Sequence, residues 1–168
     1  VYKRQENRDV PLQCLCDWLS ALHGAEFDRQ TQHALENRSM RMLNHEYIFD
    51  LPLRADNGLD LDGFTSGLSA AARELMNHAQ YAQAVYDLGQ CYLGEGTSLL
   101  HGDFYPGSWV ESEKGVWIID PDFCFFGPAE FDVGVLVAHL LLAGKSLEYA
   151  LGILTCYDGP IDFSESLA

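Results

Sequence analysis

Apolar positions first recur at helical spacing just after Pro11. Leu12, Leu15, Cys16, Leu19 and Leu22 fall on one face of a helix that Gly24 is placed to stop. Residues 1–9 show no period. From Asp28 to Phe49 the chain is more polar: a helix is expected to begin after Asp28 and to become irregular near Asn44-His45, with Leu35, Met42 and Leu43 as buried anchors. Residues 50–63 hold Pro52, Gly58, Gly63 and four acids, the pattern of an exposed connection. Thr65 or Ser66 is then expected to cap one long helix. Neither Gly nor Pro interrupts Leu68 to Leu88, and Leu68, Leu75, Ala79, Ala82, Val85 and Leu88 form a mostly apolar stripe.

The texture changes at Ser98. Ser98-Leu99-Leu100 is short and apolar and runs into His101-Gly102-Asp103. Trp109-Val110 and Val116-Trp117-Ile118-Ile119 read as two strands joined by the polar turn Glu111 to Gly115. Asp120-Pro121-Asp122 ends the second strand, and Gly127-Pro128 leads into an apolar helix expected over Glu130 to Ala143 and expected to be buried. The fold class is therefore α+β, mostly helical, with a small β-hairpin confined to one place.

Composition narrows the function classes. The chain has 168 residues, 48% hydrophobic, with a formal net charge of -15. That balance lacks the cationic footprint that nucleic acid or an anionic membrane requires. No apolar run reaches the roughly 18 residues of a membrane span, and the polar start does not read as a signal peptide. The five cysteines show neither zinc spacing nor a disulfide framework, so reduced, packed thiols and a cytoplasmic location are expected. The chain lacks an initiator Met and ends without a finishing element, so it reads as a piece of something larger. Val1-Tyr2-Lys3-Arg4-Gln5 resembles a translated sequencing adapter.

Asp103 and Asp120 carry the chemistry. Each stands where a short apolar strand ends, and the hairpin between them returns the chain on itself, which brings the two ends together. Converging carboxylates cannot both stay ionised without a cation or deep hydration. Mg2+, which prefers oxygen ligands, suits Asp120 and Asp122. A loop acid beside metal-binding acids is the equipment of phosphoryl transfer, in which the loop acid takes or orients the proton of the attacking hydroxyl. His101-Gly102-Asp103, then Ser108, then Asp120 beyond a hairpin follows the order of kinase catalytic and metal loops. Singly these are ordinary: an Asp ending a strand is common turn chemistry. The ordered set is what points to a site.

Three segments extend the pattern: His101-Gly102-Asp103-Phe104-Tyr105-Pro106-Gly107-Ser108, Ile118-Ile119-Asp120-Pro121-Asp122-Phe123, and Phe126-Gly127-Pro128-Ala129-Glu130-Phe131-Asp132-Val133-Gly134. Together they resemble the aminoglycoside phosphotransferase and choline kinase superfamily, and within it the S-methyl-5-thioribose kinase family. Asn44 to Phe49 and Asn57 to Asp62 are similar to it less specifically. The resemblance implies an ATP-dependent kinase that uses Mg2+ and transfers the γ-phosphoryl group to a sugar hydroxyl, with 5-methylthioribose of methionine salvage as the substrate. It implies Asp103 as the catalytic base, Asp120, Asp122 and Ser108 as metal-site residues, and His101 and Asp132 as structural support of the catalytic loop. His23, His33, His45, His78 and His139 read as surface or satisfied core histidines.

Asp122 stands where the family has Glu, and Phe104-Tyr105-Pro106 where it has Leu-His-Thr, so this loop meets the substrate through different side chains. No G-x-G-x-x-G loop precedes Asp103, and Lys3, Lys114 and Lys145 lie outside apolar strands. The expectation is thus one domain over residues 1–168, the C-terminal lobe of a kinase-like phosphotransferase, lacking its N-terminal ATP-binding lobe and its C-terminal end and inactive alone. A small-molecule partner, a sugar or amino alcohol, is expected, and a homodimer is allowed. The alternatives are an aminoglycoside, choline, homoserine or fructosamine kinase, or a non-catalytic pseudokinase lobe, against which the retained Asp103 and Asp120 argue; a metal-dependent phosphohydrolase would need more His or Asp ligands than this loop offers.

Overall fold

Leu15, Cys16 and Leu19 are buried along helix α1 (Leu12–His23), in the register their spacing sets, and Gly24 follows as its C-cap. The structure, a computed structural model, describes residues 11–161; the adapter-like residues 1–5 lie outside them. Residues 11–36 and 96–161 form one unit and residues 37–95 a second.

In the first unit, α1 is followed by α2 (Arg29–Ala34), capped by the Asp28 carboxylate, which accepts from Thr31 N–H. Strand β1 (Ser98–Leu100) pairs antiparallel with β4 (Phe125–Gly127), Leu100 opposite Phe125. Strands β2 (Trp109–Ser112) and β3 (Gly115–Ile118) form the hairpin, Trp109 opposite Ile118. Helices α6 (Glu130–Leu142), α7 (Leu147–Leu151) and α8 (Ile153–Cys156) complete the unit. Its core joins Leu15, Cys16 and Leu19 to Phe104, Trp109, Val133, Leu136, Leu140 and Ile153. Each fully buried Leu or Ile there is worth about 1.5–3 kcal/mol.

The second unit holds α3 (Arg38–His45), continued by a π-helical turn over Glu46–Asp50, then α4 (Leu68–Asn77) and α5 (Ala79–Leu93). Arg41 donates from Nη2 to the carbonyls of Tyr92 and Gly94, both at 2.6 Å, and so closes the C-terminal end of α5. Gly89 lets α5 approach the wide turn: a Cβ there would stand 2.8 Å from His45 Nε2 and 3.0 Å from Phe49 Cβ.

The α+β class stands as expected, mostly helical with small antiparallel sheets, and several local expectations do not. Met42 and Leu43 are exposed, 59% and 54%, because α3 buries Arg41 instead. The single long helix is two, broken at His78, whose ring Nδ1 accepts from Tyr81 N–H and caps α5. Neither Thr65 nor Ser66 caps α4; Gly67 occupies that position with φ 88°, and Asp62 accepts from Ser69 N–H. Helix α6 buries one face only, and Leu142 is 81% exposed. The short strand β4 was not anticipated; its Phe-Phe-Gly is too brief to show an alternation.

The cysteine expectation is overturned for one pair. Cys16 of α1 and Cys156 of α8 form a disulfide across 140 positions, their Cα atoms 5.8 Å apart. The route from reduced thiols to a cytoplasmic location falls with it. Cys14, Cys91 and Cys124 are thiols. Among the described residues no helix is long and apolar enough to cross a membrane.

The bond has a direct readout. Denatured, unreduced protein should take up alkylating reagent at three cysteines and reduced protein at all five. Replacing Cys16 and Cys156 by Ala should lower the unfolding free energy by about 2–4 kcal/mol in a denaturant titration. Five labels without reductant would contradict the bond.

Candidate catalytic loop and carboxylate site

The loop after β1 is built around a glycine and a buried acid. Gly102 has φ 81°, a backbone shape that disfavours any side chain, and a Cβ there would collide with the Phe123 carbonyl. The turn presents the N–H groups of His101 and Gly102 to one carboxylate. Asp132, in the first turn of α6, accepts from His101 N–H at 2.6 Å and from Gly102 N–H at 3.0 Å, and is fully buried. Such bonds satisfy donors that the strand end leaves over.

His101 ties the same loop to the hairpin. Its Nε2 lies 3.0 Å from the Ile119 carbonyl, which can only accept, so Nε2 carries the proton and Nδ1 accepts from Asp103 N–H at 3.3 Å. Ser108 is buried, and its hydroxyl donates to the Asp103 carbonyl at 2.9 Å. Ile119 N–H donates to Ser108 O at 3.0 Å. The residue before Asp120 is thereby hydrogen-bonded to both His101 and Ser108.

Asp103 and Asp120 are close enough to feel each other's charge. Burial pushes the Asp103 carboxyl above the ordinary range; His101 and His139 draw it down, and Asp120 and Asp132 push it further up. A carboxyl with raised proton affinity is suited to accept a proton. Asp120 adopts a left-handed conformation, φ 67°, and stands immediately before the 3-10 turn Pro121–Phe123 that carries Asp122. Both acids are exposed.

Among the described residues no group of three or more His, Cys, Asp or Glu side chains could hold a metal. Two exposed carboxylates on one turn nevertheless fit Mg2+, which takes one or two protein carboxylates and fills its shell with phosphate oxygens and water. Asp120 and Asp122 are that pair. Ser108, proposed from sequence beside them, has its hydroxyl on the Asp103 carbonyl and hence supports the loop as placed.

Residues to which the sequence assigned no part in the site complete the surroundings. Trp18 stacks on Phe104, ring centroids 5.5 Å apart and planes within 11°, and meets His101 edge-on. The His139 ring lies 5.3 Å from that of Tyr105. Buried His23 contacts Asp132 and Tyr157. A signal for His23 was present: it stands four after Leu19 and seven after Cys16, on the apolar face of α1.

Glycine substitutions separate the loop from the rest of the unit. Gly102→Ala should destabilise by about 1–3 kcal/mol or more through strain at positive φ and through its collision with Phe123. Gly134→Ala, on exposed helix with nothing near its Cβ, should stabilise by about 0.5–1 kcal/mol. Urea unfolding of both variants checks this; equal effects would contradict the loop geometry.

No protein-family model matches the chain. Curated proteins do. A methylthioribose kinase of Exiguobacterium sibiricum is 37% identical over 84 residues, 50% of this chain and 22% of that protein. One of Bacillus velezensis is 34% identical over 122 residues, 73% of this chain and 30% of that protein. One of a Geobacillus species is 36% identical over 118 residues, 70% of this chain and 29% of that protein. The chain spans under a third of the length of these relatives. Identity at this level over most of the 168 residues relates the chain to the methylthioribose kinases.

Proposed function

We propose that the chain is the catalytic lobe of an ATP-dependent kinase that phosphorylates a sugar hydroxyl, with 5-methylthioribose of methionine salvage as the substrate. What supports this is Asp103, within reach of the charge of Asp120, on a loop held by Asp132, His101 and Ser108, in a chain whose relatives are named methylthioribose kinases. In this reading Asp103 accepts the proton of the attacking hydroxyl, its carboxyl held above the ordinary range by burial. Asp120 and Asp122 hold Mg2+, which when bound neutralises charge on the phosphates of ATP. The ATP-binding lobe then lies in a longer parent protein, outside these residues. A cytoplasmic setting accords with the small-molecule substrate, and there the Cys16–Cys156 bond would be open to reduction.

A second reading, a pseudokinase lobe, draws on Ser108, whose hydroxyl is engaged within the loop, and on Asp122 in place of a longer acid. It predicts no turnover.

Two measurements decide between them. The complete reading frame that encodes this chain should consume ATP with methylthioribose, and Asp103→Asn should lower kcat about 100- to 10,000-fold, the usual worth of a general base. Turnover that survives the change removes Asp103 from that role; no turnover with methylthioribose, choline or an aminoglycoside favours the pseudokinase. Separately, Asp120→Asn, which tolerates the left-handed backbone, should weaken Mn2+ binding by more than about tenfold, since even outer partners of a metal site cost that much. Unchanged Mn2+ affinity would take Asp120 out of the metal site.

A further inference from the structure

Asp132 makes a third contact that loop support alone does not require. His23, the last residue of α1 and 3% exposed, places Nε2 3.2 Å from Asp132 Oδ2 and Nδ1 2.7 Å from the hydroxyl of Tyr157. All three side chains are buried, and the two partners stand 109 and 134 residues away along the chain. The contact is therefore a product of tertiary packing between α1, α6 and the segment after α8.

Chemistry assigns the protons. The carboxylate, already accepting two backbone N–H groups, is an acceptor, so Nε2 must donate to it. In the neutral ring Nδ1 then has only its lone pair and accepts, which makes Tyr157 the donor. Burial, and then the charges of Glu130 and Asp132, push the Tyr157 hydroxyl well above its ordinary range, so it keeps its proton. The opposite tautomer would set the Nε2 lone pair against a carboxylate oxygen and turn the tyrosine proton away from its neighbour. Cys156 is bonded to Cys16 two turns before His23 on α1, which keeps the Tyr157 backbone beside that helix.

We propose that His23 is a positioning residue for the loop that carries Asp103, and that Tyr157 sets its tautomer. The path runs from Tyr157 O–H to His23 Nδ1, from His23 Nε2–H to Asp132, and from Asp132 to the N–H groups of His101 and Gly102. His23 fixes which way the Asp132 carboxylate faces, and that plane sets the backbone immediately before Asp103. The part concerning turnover rests on the kinase reading; the proton arrangement does not.

The test uses two readouts on that account. In the 15N-labelled 168-residue protein, long-range proton–nitrogen spectra should show His23 as the Nε2–H tautomer, and Tyr157→Phe should release it into tautomer exchange. His23→Leu should speed amide hydrogen exchange at His101 and Gly102 at least tenfold, and His23→Gln, which keeps a donor toward Asp132, should restore most of the protection. In the complete protein, His23→Leu should lower kcat at least tenfold with KM for the acceptor within twofold, and His23→Gln should recover it to within about threefold. Should His23→Leu fail to fold, Tyr157→Phe carries both comparisons. An Nδ1–H tautomer, a ring protonated on both nitrogens, or wild-type exchange at His101 and Gly102 in folded His23→Leu overturns the proposal. A loss of stability with kcat unchanged reduces His23 to packing and overturns it as well. Correct tautomer and exchange in a protein with no kinase turnover would leave the clamp standing and fail only the kinase reading.

Discussion

The buried carboxylate of Asp132 organises the first unit. It takes two adjacent backbone N–H groups from the end of β1 and a ring nitrogen from the end of α1. Unpartnered, a buried acid costs several kcal/mol, so the helix and strand that supply its donors must keep their places. The same three bonds determine where the chain turns at Gly102, and that turn directs the chain toward Asp103. Loss of one donor would leave the acid partly unsatisfied and the loop free to adopt other backbone shapes.

Around that anchor the loop is held from the opposite side by the hairpin. His101 reaches the Ile119 carbonyl, and Ser108 both holds the Asp103 carbonyl and accepts from Ile119 N–H. Burial above all raises the Asp103 carboxyl, and the charge of Asp120 adds to it. Trp18 stacks on Phe104 and meets His101 edge-on, which packs the loop against α1.

Much of the first unit was legible in the sequence because its signals are local. The spacing of Leu15, Cys16 and Leu19, the β-branched and aromatic run Val116-Trp117-Ile118 and the apolar run of α6 all name their elements within a few residues. In the second unit the same reasoning misplaced burial. Met42 and Leu43 read as anchors by composition, yet Arg41 is the buried residue, because its guanidinium finds carbonyls at the end of α5 fifty positions later. His78 interrupts an otherwise continuous helical pattern because its ring offers the next helix a cap, a competition that periodicity does not register.

By itself the sequence determined the α+β class, the hairpin and the candidate acids, since strand ends, turn glycines and the H-G-D, D-P-D and F-D-x-G segments are contiguous. Tertiary structure alone decided which groups meet. The Cys16–Cys156 bond and the His23–Asp132–Tyr157 contact join residues by packing, not by spacing. A histidine on an apolar helix face, or a cysteine among other cysteines, becomes informative only when the fold supplies its partner, because hydrogen bonds and disulfides depend on distances of a few ångströms that one-dimensional order does not encode.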